Sequence, residues 1–517
     1  MAQNYTITTA INYPNGRPHV GHAYEAIATD ALARFHRQSG RQVYFQTGTD
    51  EHGLKMAQAA RARGVEPIAL ADEMSGHFRE MADGFNISYD RFIRTSEAEH
   101  HAAAQKLWQA MEASGDLYLG RYEGWYSVRD EAFYDEKELV AGEGDIRLSP
   151  QGTPVEWTVE ESWFFRLSKY QDRLLALYAE QPDFVRPESR LNEVASFVRG
   201  GLSDLSVSRT SFDWGVPVPG SPGHVMYVWV DALTNYLTGT GYLDGTEHYG
   251  AFWPADLHVI GKDIVRFHAV YWPAFLMSAG VPLPRQVMGH GFVLHRGEKM
   301  SKSSGNVADP LDLARRFGVD AIRYFLLREV AFGQDGSYSD EAIVTRVNAD
   351  LANSFGNLAQ RCLSIIAKNG GVVPASGPAT AEDEALVAAV GERIAAMRAA
   401  IEDGQGGYPR LDVALATLWE AVGLANEYFT HQAPWSVRKT DPARADAILF
   451  VAADVVRRLA IAARWAIPAA CGALLDQLGQ DADARDFASL DKPLEVGLPL
   501  PFPQGVFPRL TLDAPAC

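Results

Sequence analysis

NYPNGRPHVGH, residues Asn12–His22, joins a predicted strand to a predicted helix. The preceding YTITTAI, residues Tyr5–Ile11, is β-branched and aromatic, which is typical of a buried strand. After His22, apolar side chains recur at helical spacing as far as Gly40, where the helix is expected to end. The next apolar segment, QVYFQTGT, completes the order strand, helix, strand. This order predicts a parallel sheet with a right-handed crossover.

The parallel-sheet pattern returns after residue 223. There the sequence predicts a strand at Leu257–Ile260, a helix at Asp263–Ser278 and one more strand in QVMGHGFVL. Residues 117–223 are instead rich in Trp, Tyr, Gly and Pro, with short strand-like pieces such as RYEGWYSV. The simplest interpretation is one nucleotide-binding α/β sheet that is split by an insertion.

From about residue 340 the composition changes to Ala, Leu and Arg with long segments of 3.6-residue period, which is typical of a helical bundle. The Pro-rich tail after residue 492 is expected to pack as an extended strap. We therefore predict a Rossmann-type parallel-sheet domain, split by an insertion and followed by an all-α bundle.

Composition limits the classes of function. The chain has 517 residues and a formal net charge of −18, which disfavours indiscriminate binding to DNA, other nucleic acid or an anionic membrane. Cys362, Cys471 and Cys517 form no CxxC pair, so neither a disulfide framework nor a cysteine-rich zinc site is expected. The N-terminus lacks the pattern of a signal peptide, and LAIAARWAIPAACGALL reads as a core helix rather than a membrane span. A cytoplasmic protein is predicted.

Two histidines at the mouth of the first helix indicate phosphate chemistry. A helix N-terminus that follows a parallel strand presents free N–H groups and a positive dipole end. His19 and His22 can add imidazole donors there, while Gly16 and Gly21 allow close approach of a nucleotide. Taken alone, HxGH is equally compatible with a polar cap and one buried histidine.

A second loop, GEKMSKSSGN, carries Lys299 and Lys302 among serines and glycines. Flexible flanks would let this loop close on a substrate, and two ammonium groups would meet the charge that grows on a leaving pyrophosphate. The alternative for a lone K-x-x-K is a solvated surface loop. The presence of HxGH in the same chain favours a phosphate-binding loop over a solvated surface loop.

These two segments resemble the class I aminoacyl-tRNA synthetases, whose HIGH-like and KMSKS motifs correspond to HVGH and KMSKS here. The resemblance narrows to the methionyl-tRNA synthetase family through collinear stretches over nearly the whole chain. They are YPNGRPHVGHA, TGTDEHGLK, YVWVDALTNY, GKDIVRFHAVYWPAF, GEKMSKSSGNV and NEYFTHQAPW. The resemblance implies ATP-dependent formation of methionyl-adenylate with release of pyrophosphate. Transfer to the 3′-terminal ribose of tRNA(Met) with release of AMP would follow.

The resemblance also implies roles for individual residues. His19, His22, Lys299 and Lys302 would be catalytic. The ATP-binding set would be Asn15, Gly16, His19, Gly21, His22, Gly261, Asp263, Lys299, Met300, Ser301, Lys302 and Ser303. The methionine-binding set would be Ile11, Tyr13, Asp50, Trp229, Ala232, Leu233, Tyr236, Ile264, Phe267 and His268, with Asp50 on the α-ammonium. Leu233 stands where some members carry proline, which puts the pocket wall there in doubt.

Part of that pocket can be read from the residues themselves. Ile264, Phe267, His268 and Tyr271 fall on one face of a helix just beyond a strand, where open α/β sheets bind ligands. Such a stripe is more often core than ligand site. Aromatic edges suit a polarizable thioether, however, which favours methionine over leucine.

The helical half would bind the tRNA anticodon. Positions that match the family's anticodon readers are Asn357, Arg361 and Trp435, although a surface polar pair and a core tryptophan are the plain alternatives. Mg²⁺ is expected to enter with ATP. Many family members carry zinc knuckles with paired CxxC motifs, but this chain has none, so no protein-bound zinc is expected. Because the sequence ends with the bundle, without the C-terminal dimerisation module of longer members, a monomer is expected.

The resemblance implies limits for the parts of the chain. They are 1–116 for the first half of the Rossmann-type catalytic domain, 117–223 for the inserted connective domain, 224–288 for its second half, 289–345 for the KMSKS loop and connecting region, and 346–517 for the helical anticodon-binding domain with its C-terminal strap.

Three other functions compete with this one. Another class I synthetase for an aliphatic amino acid, such as leucine, isoleucine or valine, would need a larger editing insertion than residues 117–223 provide. A small nucleotidyltransferase would share HxGH but not the helical half. A non-catalytic tRNA-binding protein would have no need of intact HxGH and KMSKS motifs.

Overall fold

The structure is a computed structural model that describes residues 3–129, 132–142, 144, 146–298, 308–402, 404 and 406–512. In these ranges the strands are β1 (Asn4–Thr9), β2 (Gln42–Thr49), β3 (Arg91–Arg94), β4 (Leu117–Ser127), β5 (Ala132–Tyr134), β6 (Val140–Ala141), β7 (Arg147–Leu148), β8 (Pro154–Phe165), β9 (Val185–Arg186), β10 (Leu205–Ser206), β11 (Ser208–Arg209), β12 (Val225–Met226), β13 (Leu257–Gly261), β14 (Val287–His290), β15 (Val293–His295) and β16 (Gly336–Tyr338).

The α-helices are α1 (Val20–Gln38), α2 (Leu54–Arg63), α3 (Pro67–Gly84), α4 (Ala98–Ala113), α5 (Gln171–Glu180), α6 (Glu188–Arg199), α7 (Val228–Thr238), α8 (Glu247–Phe252), α9 (Trp272–Ala279), α10 (Pro310–Phe317), α11 (Val319–Glu329), α12 (Asp340–Val347), α13 (Asn357–Lys368), α14 (Ala381–Glu402), α15 (Leu411–Gln432), α16 (Pro434–Val437), α17 (Pro442–Ala463) and α18 (Pro468–Gln477). Among the described helices, none is long and apolar enough to cross a membrane.

A six-stranded parallel sheet forms the catalytic half, in the order β3-β2-β1-β13-β14-β9. Residues 5–9 of β1 are buried, as expected for a parallel strand that is covered on both faces. β1 pairs with β2 on one side and with β13 on the other, so the strand order reverses at β1. Open α/β sheets bind ligands beyond the carboxyl ends of the strands at such a reversal.

The first βαβ unit agrees closely with the prediction, but the second differs in two places. The predicted helix at residues 263–278 consists of a 3₁₀ turn at Lys262–Ile264, a π-helical turn at Phe267–Tyr271 and then α9. Pro273 has no N–H group to continue the i→i−4 ladder, which explains why regular α-helical bonding begins only there. QVMGHGFVL, predicted as one strand, forms β14 and β15.

The break between β14 and β15 has a steric cause. A Cβ atom at Gly291 would lie 2.1 Å from the Gln334 carbonyl oxygen, so the chain passes another backbone where only glycine fits. Beyond this crossing, β15 leaves the six-stranded sheet and pairs with β16.

The insertion is built on a long antiparallel ribbon of β4 and β8, in which Trp125 is the cross-strand partner of Trp157. Further along the same segment, β9 returns to the catalytic sheet and pairs in parallel with β14. Residues 185–186 therefore lie inside the predicted insertion by position but belong to the first sheet by hydrogen bonding. The domain limits given above stay a prediction.

The C-terminal half is a helical bundle with one irregular helix. The segment predicted as one helix up to Lys368 is formed by α12, a π-helical stretch at Asn348–Gly356 and α13. The tail is extended, as expected: the Val373 N–H donates to the Leu498 carbonyl at 2.9 Å, and Leu500 donates to Gly371 at 2.9 Å.

A buried ion pair joins α1 to the bundle. Arg323 on α11 lies 2.7 Å from the Asp30 carboxylate on α1, and neither side chain is exposed. The same guanidinium donates to the Ala466 carbonyl at 3.0 Å and to the Phe85 carbonyl at 3.1 Å. Gln38, at the end of α1, donates to the Ile461 carbonyl at 2.9 Å. The helix that begins beside His19 is thereby fixed at its far end to the bundle.

We expect replacement of Arg323 with leucine to lower the free energy of unfolding by about 3–5 kcal/mol, because it leaves a buried carboxylate with one partner fewer and two carbonyls unsatisfied. Urea unfolding followed by tryptophan fluorescence measures this. Arg315→Leu is the matched control, since Arg315 and its partner Asp312 are about half exposed at 54% and 49% and such a pair contributes about 0–1 kcal/mol. Equal losses in the two variants would contradict the role given to the buried pair.

Candidate active site

One cavity of about 430 Å³ opens at the carboxyl ends of β1 and β13, where the strand order reverses. Its size lies in the range of small-molecule sites. Its wall includes many of the residues predicted from the sequence. They are Ile11, Tyr13, His19, Gly21, His22, Asp50, Trp229, Ala232, Leu233, Tyr236, Gly261, Asp263, Ile264 and His268.

Three predicted residues do not line this cavity. Asn15 and Gly16 lie in the loop that precedes His19. Phe267 lies behind Trp229, and the two rings stack with centroids 3.7 Å apart and planes 6° from parallel. Lys299, Met300, Ser301, Lys302 and Ser303 lie outside the described residues, so their predicted roles are not tested by the geometry.

The two histidines of HVGH cap the helix on which they lie. His19 is the N-cap of α1, and its Nδ1 accepts a hydrogen bond from the Gly21 N–H at 3.1 Å. The Nδ1 of His22 accepts from the His19 N–H at 3.1 Å. The two rings stack with centroids 3.8 Å apart. Because both Nδ1 atoms are acceptors, each neutral ring carries its proton on Nε2.

Burial holds the pKa of His22 well below its usual value, and repulsion from His19 and His290 lowers it further. His22 is therefore neutral at physiological pH, with an Nε2–H that can donate to an anion. A Cβ atom at Gly21 would lie 2.9 Å from Cε1 of His19, so glycine at this position leaves room for the capping ring. The arrangement suits phosphoryl oxygens at the N-terminus of α1.

The opposite end of the cavity is aromatic. His268 approaches the Ile264 carbonyl through Nδ1 at 3.0 Å, so Nδ1 is its donor. Burial lowers the pKa of His268 to about 4, although the bond to Ile264 opposes this shift. The neutral ring must then accept at Nε2, where the Tyr236 hydroxyl lies 2.7 Å away. With Trp229 on the same wall, these groups form an apolar slot with one fixed hydrogen-bond chain, which suits a thioether side chain.

Sequence reasoning missed a buried pair between Glu25 and His290, which also lines the cavity. Their side chains are 2.8 Å apart, and Nδ1 of His290 donates to the Gly291 carbonyl at 2.8 Å. Burial opposes the charged form of His290, but the hydrogen bond that its Nε2–H donates to Glu25 and the negative charge of that carboxylate raise the pKa of His290 overall. Glu25 could have been found three residues after His22 on the same helix face, and His290 at the carboxyl end of β14.

Two cations on the wall were also missed. Lys55 belongs to the first turn of α2, and its Nζ lies 5.2 Å from the Tyr13 ring centroid. Arg129 comes from the insertion, directly after β4. Lys55 follows the polar loop after β2 closely enough to have been suspected. Nothing in the sequence around Arg129 indicates that it would reach the catalytic sheet.

The predicted anticodon residues lie together on the bundle. The Arg361 guanidinium is 5.1 Å from the Trp435 ring centroid and 5.2 Å from that of Phe429. Trp435 is 42% exposed, so the interpretation of this residue as core is wrong. Asn357 is also exposed, one turn before Arg361.

Comparisons with known protein families and relatives show which family the chain belongs to. The sequence model of the family described as "tRNA synthetases class I (M)" matches residues 5–363. The family model of the anticodon-binding domain of methionyl tRNA ligase matches residues 373–515. The chain belongs to the methionyl-tRNA synthetase family. The methionine–tRNA ligase of Brucella suis biovar 1 is 58% identical over 509 residues, 98% of each chain. That of Mycobacterium tuberculosis is 57% identical over 511 residues, again 98% of each.

Solved structures of this family have the same fold. The Mycobacterium tuberculosis methionyl-tRNA synthetase in complex with methionyl-adenylate is similar with a TM-score of 0.95 and 56% identity, over 98% of this chain and 100% of that one. The apo form of that enzyme matches with a TM-score of 0.89 and 52% identity, over 99% of each chain. The predicted fold class and the prediction of a methionine–tRNA ligase are confirmed, and the three rival functions are excluded.

Methionyl-tRNA synthetases use ATP, and the prediction of an ATP-dependent ligase is confirmed with the family. The described residues contain no group of three or more His, Cys, Asp or Glu side chains that could hold a metal ion.

We expect methionine affinity measured without ATP to stay constant, within about twofold, from about pH 5.5 to about pH 8. A pKa of about 4 keeps His268 neutral over that range, and only below it does protonation of Nε2 oppose the Tyr236 hydroxyl. Quenching of tryptophan fluorescence at each pH gives the dissociation constant. A tenfold loss of affinity centred near pH 6.5 would show that His268 titrates normally. The same pH series on His268→Asn is the control, because any change in affinity that persists in this variant belongs to another group.

Proposed function

We propose that this cavity binds methionine and ATP side by side and that both steps of tRNA charging take place in it. One observation carries the proposal: a single cavity joins the capped N-terminus of α1, with His19 and His22, to the aromatic slot around Tyr236 and His268. A site for phosphate and a site for a thioether side chain are thus within one molecule's reach of each other.

At the amino-acid end, the buried Asp50 carboxylate binds the α-ammonium of methionine. The side chain enters the slot, where thioether–aromatic contacts contribute about 0.3–1.5 kcal/mol each. Residues from β1, α7 and the turn after β13 form its wall. They are Ile11, Tyr13, Trp229, Ala232, Leu233, Tyr236, Ile264 and His268, with Phe267 supporting Trp229.

At the nucleotide end, His19 and His22 donate from Nε2 to phosphoryl oxygens, together with the first N–H groups of α1. Asn15 and Gly16 lie in the loop that leads to them. Gly261, at the end of β13, and Asp263, in the turn that follows, contact the nucleoside. Glu25 and His290 provide polar partners for the hydroxyl groups of its ribose. Lys299 and Lys302, with Met300, Ser301 and Ser303, are assigned to the triphosphate by the family motif alone, since they lie outside the described residues.

The first step is an in-line displacement. A carboxylate oxygen of methionine attacks the α-phosphorus, the bond to the bridging oxygen breaks, and pyrophosphate leaves with the electron pair. The protein contributes mainly position and charge to such a reaction. In the second step the terminal ribose hydroxyl of tRNA attacks the carbonyl carbon of the adenylate, loses its proton and releases AMP.

Further properties belong to the same proposal. ATP enters with Mg²⁺, which takes phosphate oxygens and few carboxylates, and the Asp263 carboxylate on the cavity wall fits that donor set. The ion would neutralise charge on the departing pyrophosphate. We further propose a cytoplasmic monomer that needs no protein-bound zinc. We also propose that it binds neither DNA nor membrane, because its net charge of −18 repels polyanions and anionic surfaces.

We propose that tRNA(Met) is recognised at the bundle by Asn357, Arg361 and Trp435. An exposed tryptophan that is paired with a guanidinium offers a stacking surface for an unpaired anticodon base, and Asn357 offers an amide for a base edge. The pairing of Arg361 with Trp435 holds that ring in place before RNA arrives.

His22→Leu tests the adenylation site. It removes the Nε2–H donor, so kcat of ATP–pyrophosphate exchange should fall about 10²- to 10³-fold while the KM for methionine changes less than about twofold. Lys302→Ala is expected to act in the same direction. A rise in the methionine KM with kcat preserved would contradict the assignment of His22 to phosphate. The control is His77→Leu, since His77 is a partly buried histidine that pairs with the exposed Glu80 and does not line the cavity.

Trp435→Ala tests the anticodon site. Loss of the stacking surface, worth about 1–3 kcal/mol for one base, should raise the KM for tRNA in charging at least about tenfold and leave pyrophosphate exchange unchanged. Trp157→Ala, another exposed tryptophan, is the control and should leave the tRNA KM closer to wild type. If Trp435→Ala also abolishes exchange, the tryptophan has a structural role instead.

A further inference from the structure

Asp231 is a buried carboxylate that holds three separate elements together behind the cavity. It lies in the first turn of α7 and has no exposed surface. Its Oδ2 is 2.6 Å from Nδ1 of His52, and its Oδ1 is 2.8 Å from Nε2 of His100. His100 belongs to α4, and His52 to the loop after β2. One side chain therefore joins parts of the chain that are separated by 131 and 179 positions.

The protonation of this bridge follows from its geometry. Burial favours the neutral acid, but attraction to His52 and hydrogen bonds from both histidines outweigh it, and the pKa of Asp231 lies well below its usual value. A carboxylate can only accept, so each imidazole donates an N–H to it. Nδ1 of His100 also lies 3.0 Å from the Thr238 hydroxyl, one more link to α7.

The loop that carries His52 is also fixed by hydrogen bonds to Trp214 and to Asn12. The Trp214 indole donates to the Glu51 carbonyl at 2.6 Å, and the Gly53 N–H donates to the Trp214 carbonyl at 3.1 Å. The Asp50 N–H donates to the Asn12 carbonyl at 2.9 Å. Movement of His52 would therefore be transmitted to Asp50, two residues away on the cavity wall.

The other end of the bridge leads to the side-chain slot. Along α7, Asp231 is two residues after Trp229 and immediately before Ala232, and both of these residues line the cavity. Under the function proposed above, Asp50 binds the ammonium group and α7 binds the side chain of the same methionine molecule. The two contacts come from different elements, and their separation must match the length of one small ligand.

We propose that Asp231, through His52, is a positioning residue that sets the distance between the ammonium site at Asp50 and the side-chain slot on α7. The buried carboxylate needs both N–H donors, so the bridge has one favourable length. It contacts neither methionine nor ATP, and its effect is on the geometry of the amino-acid end of the site. This inference rests on the proposed roles of Asp50 and Trp229.

Asp231→Asn is the direct test. The amide keeps the shape but turns a donor toward one imidazole N–H, so at least one bridge bond is lost. The KM for methionine in pyrophosphate exchange should rise about 10- to 100-fold, as expected for a misplacement near 1 Å, while the KM for ATP stays within about twofold. The concentration of folded enzyme is fixed by active-site titration.

Asp116→Asn is the matched control. Asp116 is equally buried and accepts from Lys169 at 2.6 Å, from Ser278 at 2.8 Å and from Tyr170, but it does not line the cavity. We expect a lower melting temperature and an unchanged methionine KM. If Asp231→Asn behaves like Asp116→Asn, the carboxylate only stabilises the fold and the inference is overturned.

A pair of variants at His52 covers the case in which Asp231→Asn does not fold. Asparagine can place an amide N–H where Nδ1 of His52 lies, so His52→Asn should keep a methionine KM within about threefold of wild type. His52→Leu cannot donate and should show the same rise as Asp231→Asn. Equal methionine KM values in the two His52 variants would overturn the inference.

Asp50→Asn distinguishes a failure of this inference from a failure of the proposed function on which it rests. A raised methionine KM in Asp50→Asn with a normal KM in Asp231→Asn and His52→Leu overturns the inference alone. A normal methionine KM in Asp50→Asn overturns the ammonium assignment, and the inference with it.

Discussion

The backbone pairing of β1 with β13 is the contact on which the active site depends. Thr9 is in register with Val259, and the Ala10 N–H donates to the Val259 carbonyl at 3.0 Å, across 250 residues of sequence. This pairing places the ends of the two strands side by side. The insertion between them is tolerated because the entropy of loop closure grows only slowly with length. Without this pairing, HVGH and the aromatic slot around Tyr236 and His268 would not share a cavity.

Hydrogen bonds to the main chain decide what each active-site histidine can do. His19 and His22 accept backbone N–H groups at Nδ1, so each neutral ring carries its proton on Nε2. His268 is oriented in the opposite way, since its Nδ1 donates to a carbonyl and its Nε2 accepts from Tyr236. The same residue type thus carries its proton on Nε2 at the N-terminus of α1 and on Nδ1 in the aromatic slot, and local backbone geometry sets the difference.

Buried carboxylates join elements that carry different parts of the site. Asp30 with Arg323 holds α1 against the helical bundle, and Asp231 with two histidines holds α7 against the loop that contains Asp50. Each is a long-range link between side chains with no exposed surface or nearly none. Such pairs tolerate little change in length, because an unpaired buried charge is costly. The cavity is therefore defined as much by the groups behind its wall as by those that line it.

Local patterns were sufficient for the first βαβ unit, the bundle helices and the amino-acid types needed at each end of the reaction, because these depend on period, turn residues and side-chain chemistry within a few tens of positions. The sequence by itself thus determined the fold class, and through the family resemblance it implied many residues of the cavity wall. Tertiary structure alone decided the division of β14 from β15, the position of Arg129 on the cavity wall and the pairing of Glu25 with His290. It also decided the bridge at Asp231. These features arise where segments that are distant in the sequence meet. Such contacts produce no periodic pattern of residues in either segment, so the sequence alone does not reveal them.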